Sequence, residues 1–304
     1  MNASATSGSD IIPWPAEAIW EAVAPLLPGF SVEVLPEIDS TNTELMRRLR
    51  GSAGAAPRPE PLLLVAEQQS AGRGRLGRSW QSRRGASLTF SLGLPLEPAD
   101  WSGLSLAVGV SVAQSLEPLE PMAQRSAGWP RIGLKWPNDL WLATPEGERK
   151  LGGILVETAS WHGQRHVVIG VGLNIEPWAA DLAGAIENAP ARAAVAPGCL
   201  QQLVPGLDAP AALLRIVPAL VQAVQAFEQF GFAPFQAGFA ARDVLQGRTL
   251  ALSDGLQGTG CGVAGNGALR LQTAQGLREV SSSEVSVRPL AEATPAPPQD
   301  TFPC

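Results

Sequence analysis

Between Ser70 and Arg84 the chain carries five arginines and no acidic residue, a local charge of +5 inside a chain of net charge −6. The run reads Gly72-Arg73-Gly74-Arg75-Leu76-Gly77-Arg78-Ser79-Trp80 and continues to Arg83, Arg84 and Gly85. Glycines let backbone amides approach an anion closely, and guanidinium forks grip carboxylate or phosphate oxygens two at a time, so the segment is built as an anion cradle. A second signal is a scarcity. Of 22 basic residues 20 are arginine, and the two lysines, Lys135 and Lys150, lie 15 positions apart. Arginine replaces lysine readily on a solvated surface but not where a compact ammonium is needed, so both lysines are candidates for chemistry. They stand in Lys135-Trp136-Pro137-Asn138-Asp139 and Arg149-Lys150-Leu151-Gly152-Gly153, each beside a turn or a Gly-Gly step that leaves backbone donors accessible. Taken singly, each also reads as an ordinary feature: a solvated basic loop, a Pro-Asn-Asp turn, an exposed Arg-Lys pair.

Other chemistries find less support. Gly72, Gly74 and Gly77 fit the spacing G-x-G-x-x-G, but no helical periodicity follows, as a dinucleotide site requires. There is no Gly-Lys-Ser or Gly-Lys-Thr for a P-loop. His162 and His166 are four apart, yet Gly163 and the β-rich stretch after them argue against a helical metal pair. No G-x-S-x-G elbow is present, and Cys199, Cys261 and Cys304 form no C-x-x-C, so neither a hydrolase nor a zinc or disulfide framework is indicated.

These residues need elements to hold them. Strands are expected over 32–38, 62–68 and 88–94, and Ser40-Thr41-Asn42-Thr43-Glu44 opens a helix, with Thr41 and Glu44 at capping-box spacing. Residues 104–116 repeat apolar side chains at fourfold spacing, a core helix. A meander of IGLKW, DLWL, GGILVET and HVVIGVGLNI follows, predicting a mixed or antiparallel sheet. Residues 178–212 read as a long connection, and apolar positions 213, 217, 220, 224 and 227 as a second core helix with Pro218 inside. After Phe239, short alternating runs punctuated by Asp-Gly and Gly-Asn-Gly predict a small β-barrel. The expected division is a leader and short helix over 1–29, a main domain over 30–241, a small β domain over 246–290 and a disordered tail over 291–304.

A chain of 304 residues suits one large domain plus a small one, and 45% hydrophobic residues are ample for a core. The acidic balance excludes a general nucleic-acid-coating role. Neither a signal peptide nor about 18 uninterrupted apolar residues is seen, so a cytoplasmic location is expected and no membrane partner.

In order, Ser40-Thr41-Asn42, Gln69 with GRGRLGRSW, KWPND, RKLGGILVE and Gly170-Val171-Gly172-Leu173-Asn174, followed by a small β-barrel, closely resemble bacterial biotin protein ligases over about residues 32–290. The resemblance implies an α+β fold: a class II synthetase-like mixed sheet with helices, and an SH3-like C-terminal barrel. It implies two half-reactions. Biotin and ATP give biotinyl-5'-AMP and pyrophosphate, then a lysine of a biotin carboxyl carrier protein takes the acyl group. By the family pattern Ser40, Thr41, Asn42, Gln69, Gly72, Arg73, Arg75, Lys150 and Gly153 bind biotin. Arg73, Arg78, Trp80, Lys135, Asn138 and Asn174 bind ATP and the adenylate. Lys150, Arg75 and Asp139 form the catalytic group, with Lys150 bridging the biotin carboxylate and the α-phosphate and Asp139 steering the incoming amine. Mg²⁺ accompanies ATP without a dedicated protein site. A weak homodimer is compatible with this pattern. Regulatory family members carry a DNA-binding domain ahead of the Ser-Thr-Asn motif. Only 39 residues precede Ser40 here, so DNA binding is not expected. The rival readings are a lipoate-type ligase on the same fold and a non-catalytic biotin- or nucleotide-binding protein.

Overall fold

The computed structural model describes residues 11–51, 59–118, 131–177, 195–281 and 287–290. Residues 291–304, expected to form a disordered tail, and much of the expected 178–212 connection lie outside them.

A seven-stranded mixed sheet carries the architecture, in the order β1-β2-β5-β9-β8-β7-β6. Its strands are β1 (Ser31–Ile38), β2 (Leu62–Gln69), β5 (Ser87–Pro95), β6 (Ile132–Lys135), β7 (Asp139–Thr144), β8 (Gly147–Trp161) and β9 (Gln164–Asn174). Only β1 and β2 pair in parallel, joined by helix α2 (Thr41–Gly51); the other neighbours are antiparallel. That single crossover needs a helix, whereas β6, β7, β8 and β9 follow one another through short turns.

Alternation along the strands divides the molecule. One face sends Leu63, Val65, Leu88, Phe90, Leu92, Val167, Ile169 and Val171 into the main core, under α1 (Ala16–Val23), α3 (Leu104–Leu116) and α4 (Ala209–Phe230). Each such Leu or Phe, fully removed from water, contributes about 1.5–3 kcal/mol. The other face has only α2, whose Leu45, Met46 and Leu49 meet Leu64 and Val168. The rest of that face stays open, and the site lies there.

Two local expectations are corrected. Helix α2 begins at Thr41, so its cap is Ser40, whose Oγ faces the Thr43 amide at 3.4 Å. Glu44 does not complete a capping box but pairs with Arg47 and Arg48. Helix α4 starts at Ala209 rather than Leu213, because the Asp208 carboxylate accepts the Ala211 amide at 2.8 Å and Pro210 suits a first turn. It then runs on through Pro218. The short helix expected within 1–29 is α1, with Ile19 and Val23 fully buried in the main core.

Helix α4 is long and apolar enough to cross a membrane by composition, yet its Ile216, Val217, Leu220, Val221, Val224 and Phe227 are buried in the protein core. The small β domain is a five-stranded antiparallel sheet, order β13-β12-β11-β10-β14, with β10 (Thr249–Leu252), β11 (Gln257–Val263), β12 (Leu269–Thr273), β13 (Gly276–Val280) and β14 (Val287–Pro289). It is tied to the edge of the large sheet. Leu134 exchanges hydrogen bonds with Arg242 and Val244, and the Trp136 indole donates to the Gly267 carbonyl at 3.0 Å. Arg242, wholly buried, pairs with Glu117 and donates to the Ile132 carbonyl. Next to it, burial pushes the Asp243 carboxyl up to about 6.

Candidate functional site

The two lysines sit on three adjacent strands around one carboxylate. Lys135 ends β6 directly opposite Asp139 at the start of β7, and Asp139 in turn faces Gly153 of β8. Between β7 and β8 the register slips: Leu140 faces Gly152 but Trp141 faces Lys150, leaving Leu151 as an extra residue. In a regular strand Lys150 and Gly153, three apart, would point to opposite faces. The bulge returns both to the open face, beside Asp139. Lys150 Nζ then lies 2.7 Å from Asp139 Oδ1 and Lys135 Nζ 3.9 Å from Oδ2.

Lys135 is nearly enclosed, its ammonium 5.5 Å from the centroid of the Trp141 ring. Desolvation lowers its pKa; Asp139 opposes that shift, and Lys150, Arg78 and Arg288 add to it. Two lysines on one carboxylate leave the cluster one positive charge in excess, which an anionic ligand would balance. The backbone of Lys150 is held from behind: its amide donates to the Ala196 carbonyl at 2.8 Å, and its carbonyl accepts from Gly198 at 2.9 Å and from Asn174 Nδ2 at 3.2 Å.

The floor is made of glycines. A Cβ on Gly172 would stand 2.5 Å from the Trp80 ring, and one on Gly170 would stand 2.1 Å from Asn42 Oδ1. Their absence lets Trp80 lie flat on β9 and α2 close on the sheet. The Trp80 Nε1 is buried without a hydrogen-bond partner among the described residues.

At the other end, a polar chain runs from the α2 N-terminus into the sheet. The Thr41 amide donates to Gln69 Oε1 at 2.7 Å. The Thr41 and Ser91 hydroxyls are 2.7 Å apart, Ser91 Oγ reaches Asn42 Oδ1 at 2.6 Å, and Asn42 Nδ2 donates to Glu157 Oε2 at 3.0 Å. With Gln69 Oε1 already accepting, the amide nitrogen of Gln69 remains its donor.

The cradle loop spans β3 (Gly72–Arg73), a 3₁₀ turn at Arg75–Gly77 and β4 (Ser79–Trp80), with no helix behind it. Leu76, half-exposed at its tip, adopts a left-handed φ of 55°, a conformation costly for a bulky side chain. The arginines divide. Arg73 pairs with Glu157 at 3.2 Å, Arg84 pairs with Glu67 at 2.6 Å, and Arg83 donates to the Pro177 carbonyl at 2.9 Å. Arg75 is half-buried, and desolvation, reinforced by Arg78, lowers its pKa against the pull of Asp139.

A cavity of about 890 Å³, open mouth included, brings these parts together. Ser40, Thr41, Asn42, Gln69, Arg73, Arg75, Arg78, Trp80, Lys135, Asn138, Asp139, Lys150 and Gly153 all line it. Two residues singled out from the sequence stand behind the wall. A Cβ on Gly72 would stand 2.4 Å from the Trp80 carbonyl, and Asn174 is buried with Nδ2 on the Lys150 and Gly198 carbonyls. Asn138 also braces the wall, donating to the Ile154 carbonyl at 2.8 Å. The sequence reading missed Ser91 and Glu157. Each is a polar residue within an apolar strand run, at alternation positions facing the open side. It also missed Val287 of β14, which brings the small domain to the rim.

Comparison with known proteins follows the same outline. Residues 34–174 match the biotin/lipoate A/B protein ligase family. The bifunctional ligase/repressor BirA of Escherichia coli is 34% identical over 86% of this chain and 75% of its own length. A biotin–[acetyl-CoA-carboxylase] ligase of Paracoccus denitrificans is 30% identical over 83% of this chain and 98% of its own. The biotin protein ligase of Aquifex aeolicus, solved with biotin and ATP, shares the fold with a TM-score of 0.63 at 24% identity, over 85% of this chain and 99% of that one. With a relative of that identity matched over three quarters of its length, the chain belongs to the biotin/lipoate A/B protein ligase family.

Proposed function

We propose that the chain attaches biotin to a lysine of a biotin carboxyl carrier protein, through biotinyl-5'-AMP. It is an ATP-dependent biotin ligase, in keeping with its relatives and with the chemistry of the cavity. One observation carries the reading: Lys135, Lys150 and Arg75 gather around Asp139 in a single hollow. Joining a carboxylate to a phosphate ester brings two anions together, and fixed positive groups in a partly dry site stabilise that approach.

Lys150, paired but still a third exposed, is positioned to leave Asp139 for the carboxylate and the α-phosphate. Lys135 supplies a second charge from within the wall. Trp80, lying on Gly172, offers an aromatic face to the adenine, and Gln69 with Thr41 faces the polar head of biotin. In the second half-reaction Asp139 lies next to the reacting carbonyl, where it steers the incoming amine and receives its proton. Mg²⁺ would accompany ATP, held by phosphate oxygens and water. The acidic balance, net −6, speaks against operator-DNA binding, which a mobility shift with biotin and ATP checks. The same reading places the reaction in the cytoplasm.

The test is incubation with biotin, Mg-ATP and an apo carrier domain, followed by mass measurement of the carrier. The expected result is one biotinyl addition that requires ATP. Lipoate in place of biotin should give none; equal modification by lipoate would favour the rival ligase, and no modification by either would overturn the assignment.

A further inference from the structure

We infer that Glu157 is a positioning residue, and that Arg73, although it belongs to the cradle, works through Glu157 rather than as a ligand of phosphate. The inference rests on the ligase reading above.

Arg73 Nη1 lies 3.2 Å from Glu157 Oε1 and 3.4 Å from Thr43 Oγ1. Both Arg73 and Glu157 line a separate hollow on the outer side of α2, with Thr43, Met46, Arg47 and Arg50. The guanidinium is thus drawn to the outside, away from the lysines. Glu157 meanwhile accepts from Asn42 Nδ2 at 3.0 Å. One carboxylate therefore clamps the start of the cradle loop and the start of helix α2.

Polar contacts form one network from the cradle loop to the helix start. Arg73 and Asn42 donate to Glu157, Ser91 donates to Asn42 Oδ1 with its hydroxyl 2.7 Å from that of Thr41, and Thr41 donates its amide at 2.7 Å and its hydroxyl at 3.1 Å to Gln69 Oε1. Arg73 and Gln69 are the two ends of the network and also the two ends of one five-residue segment, 69–73. Two acceptors on β8, the Glu157 carboxylate and the Leu155 carbonyl at 3.2 Å, hold Asn42 with its oxygen toward Ser91. At the start of the same helix the Thr41 amide, which can only donate, fixes Gln69 and leaves its amide nitrogen as the donor at the biotin head. Replacing Glu157 by an amide weakens the clamp on the cradle loop and on the helix start that carries Asn42 and Thr41 together.

Steady-state adenylation by the full chain tests this, with Arg73→Ala, Glu157→Gln, the double variant and Arg73→Lys. Each of the first two should raise the KM for biotin about five- to tenfold, the loss of one charge-assisted bond, and leave kcat within about twofold. The double variant should be no worse than either single one, since both remove the same link. Arg73→Lys, which keeps the ion pair, should restore the KM for biotin. The inference is overturned if the KM for ATP rises instead, if the two effects multiply, if both singles match the parent, or if Arg73→Lys behaves as Arg73→Ala. An inactive parent chain would instead overturn the ligase reading itself.

Discussion

The cradle loop and the lysine hairpin both bring positive charge to one cavity, but they hold it differently. In the loop, the guanidinium groups of Arg73 and Arg84 are roughly half-exposed and each has its own carboxylate, Glu157 or Glu67. In the hairpin, Lys135 of β6 and Lys150 of β8 share Asp139 of the strand between them, with a bulge that aims Lys150. Exposed one-to-one pairs are worth little and exchange partners readily, whereas two cations sharing one enclosed anion remain short of negative charge. Arg73 and Arg84 therefore contribute shape to the loop, and the hairpin, joined by Arg75, contributes the unbalanced field.

If that contrast holds, Lys150→Arg should be the most damaging change, lowering biotinyl-AMP formation about 100-fold or more while the circular dichroism stays that of the parent. A planar fork cannot replace a point charge set 2.7 Å from Asp139. Near-normal turnover would place the lysines on a par with the loop arginines.

Asp139→Asn should cost about 30-fold, and it sharpens the contrast through pH. Burial already lowers the pKa of Lys135 and Asp139 opposes the shift, so losing Asp139 makes the ammonium deprotonate at lower pH still. The alkaline limb of the rate profile should move down in pH; an unmoved limb would detach Lys135 from the rate.

Gly172→Ala tests the floor that joins the two regions. Its Cβ would stand 2.5 Å from the Trp80 ring, and the KM for ATP should rise about tenfold as the ring is displaced. Isothermal titration with ATP reads the same effect.

Behind the hairpin, the neutral form of Asp243 is favoured by burial in the folded chain, with a pKa of about 6 against 3.8 unfolded. Its contribution to stability is full below about pH 4 and declines as pH rises through 6, by about 3 kcal/mol. Urea unfolding of Asp243→Asn should lack that decline relative to the parent. Last and smallest, Arg84→Ala should change adenylation less than threefold and cost about 1 kcal/mol of stability, because it breaks an outlying pair.

Much of this was legible in the sequence. Strands and helices came through where alternation was clean, as in 104–116, which coincides with α3. The start of α4 was hidden because its first turn, Ala209-Pro210-Ala211-Ala212, carries no apolar period, only an Asp cap. At the site, charge scarcity exposed Lys135 and Lys150, and the order of motifs exposed the loop. Asn174, expected at the adenylate, is buried with its Nδ2 on the Lys150 carbonyl, a contact that motif spacing alone does not disclose. Ser91 belongs to no motif and Glu157 only closes RKLGGILVE; both become visible as site residues when register sets them beside Asn42. The bulge at Leu151, on which the aim of Lys150 depends, is likewise a property of pairing and not of one strand.

The most direct test is a single-turnover reaction of the purified chain with biotin and Mg-ATP, without carrier, analysed by mass spectrometry after quenching. The account predicts close to one equivalent of biotinyl-5'-AMP retained by the parent chain and almost none by a folded Lys150→Arg variant. An equal yield from both, or none from the parent, would contradict it.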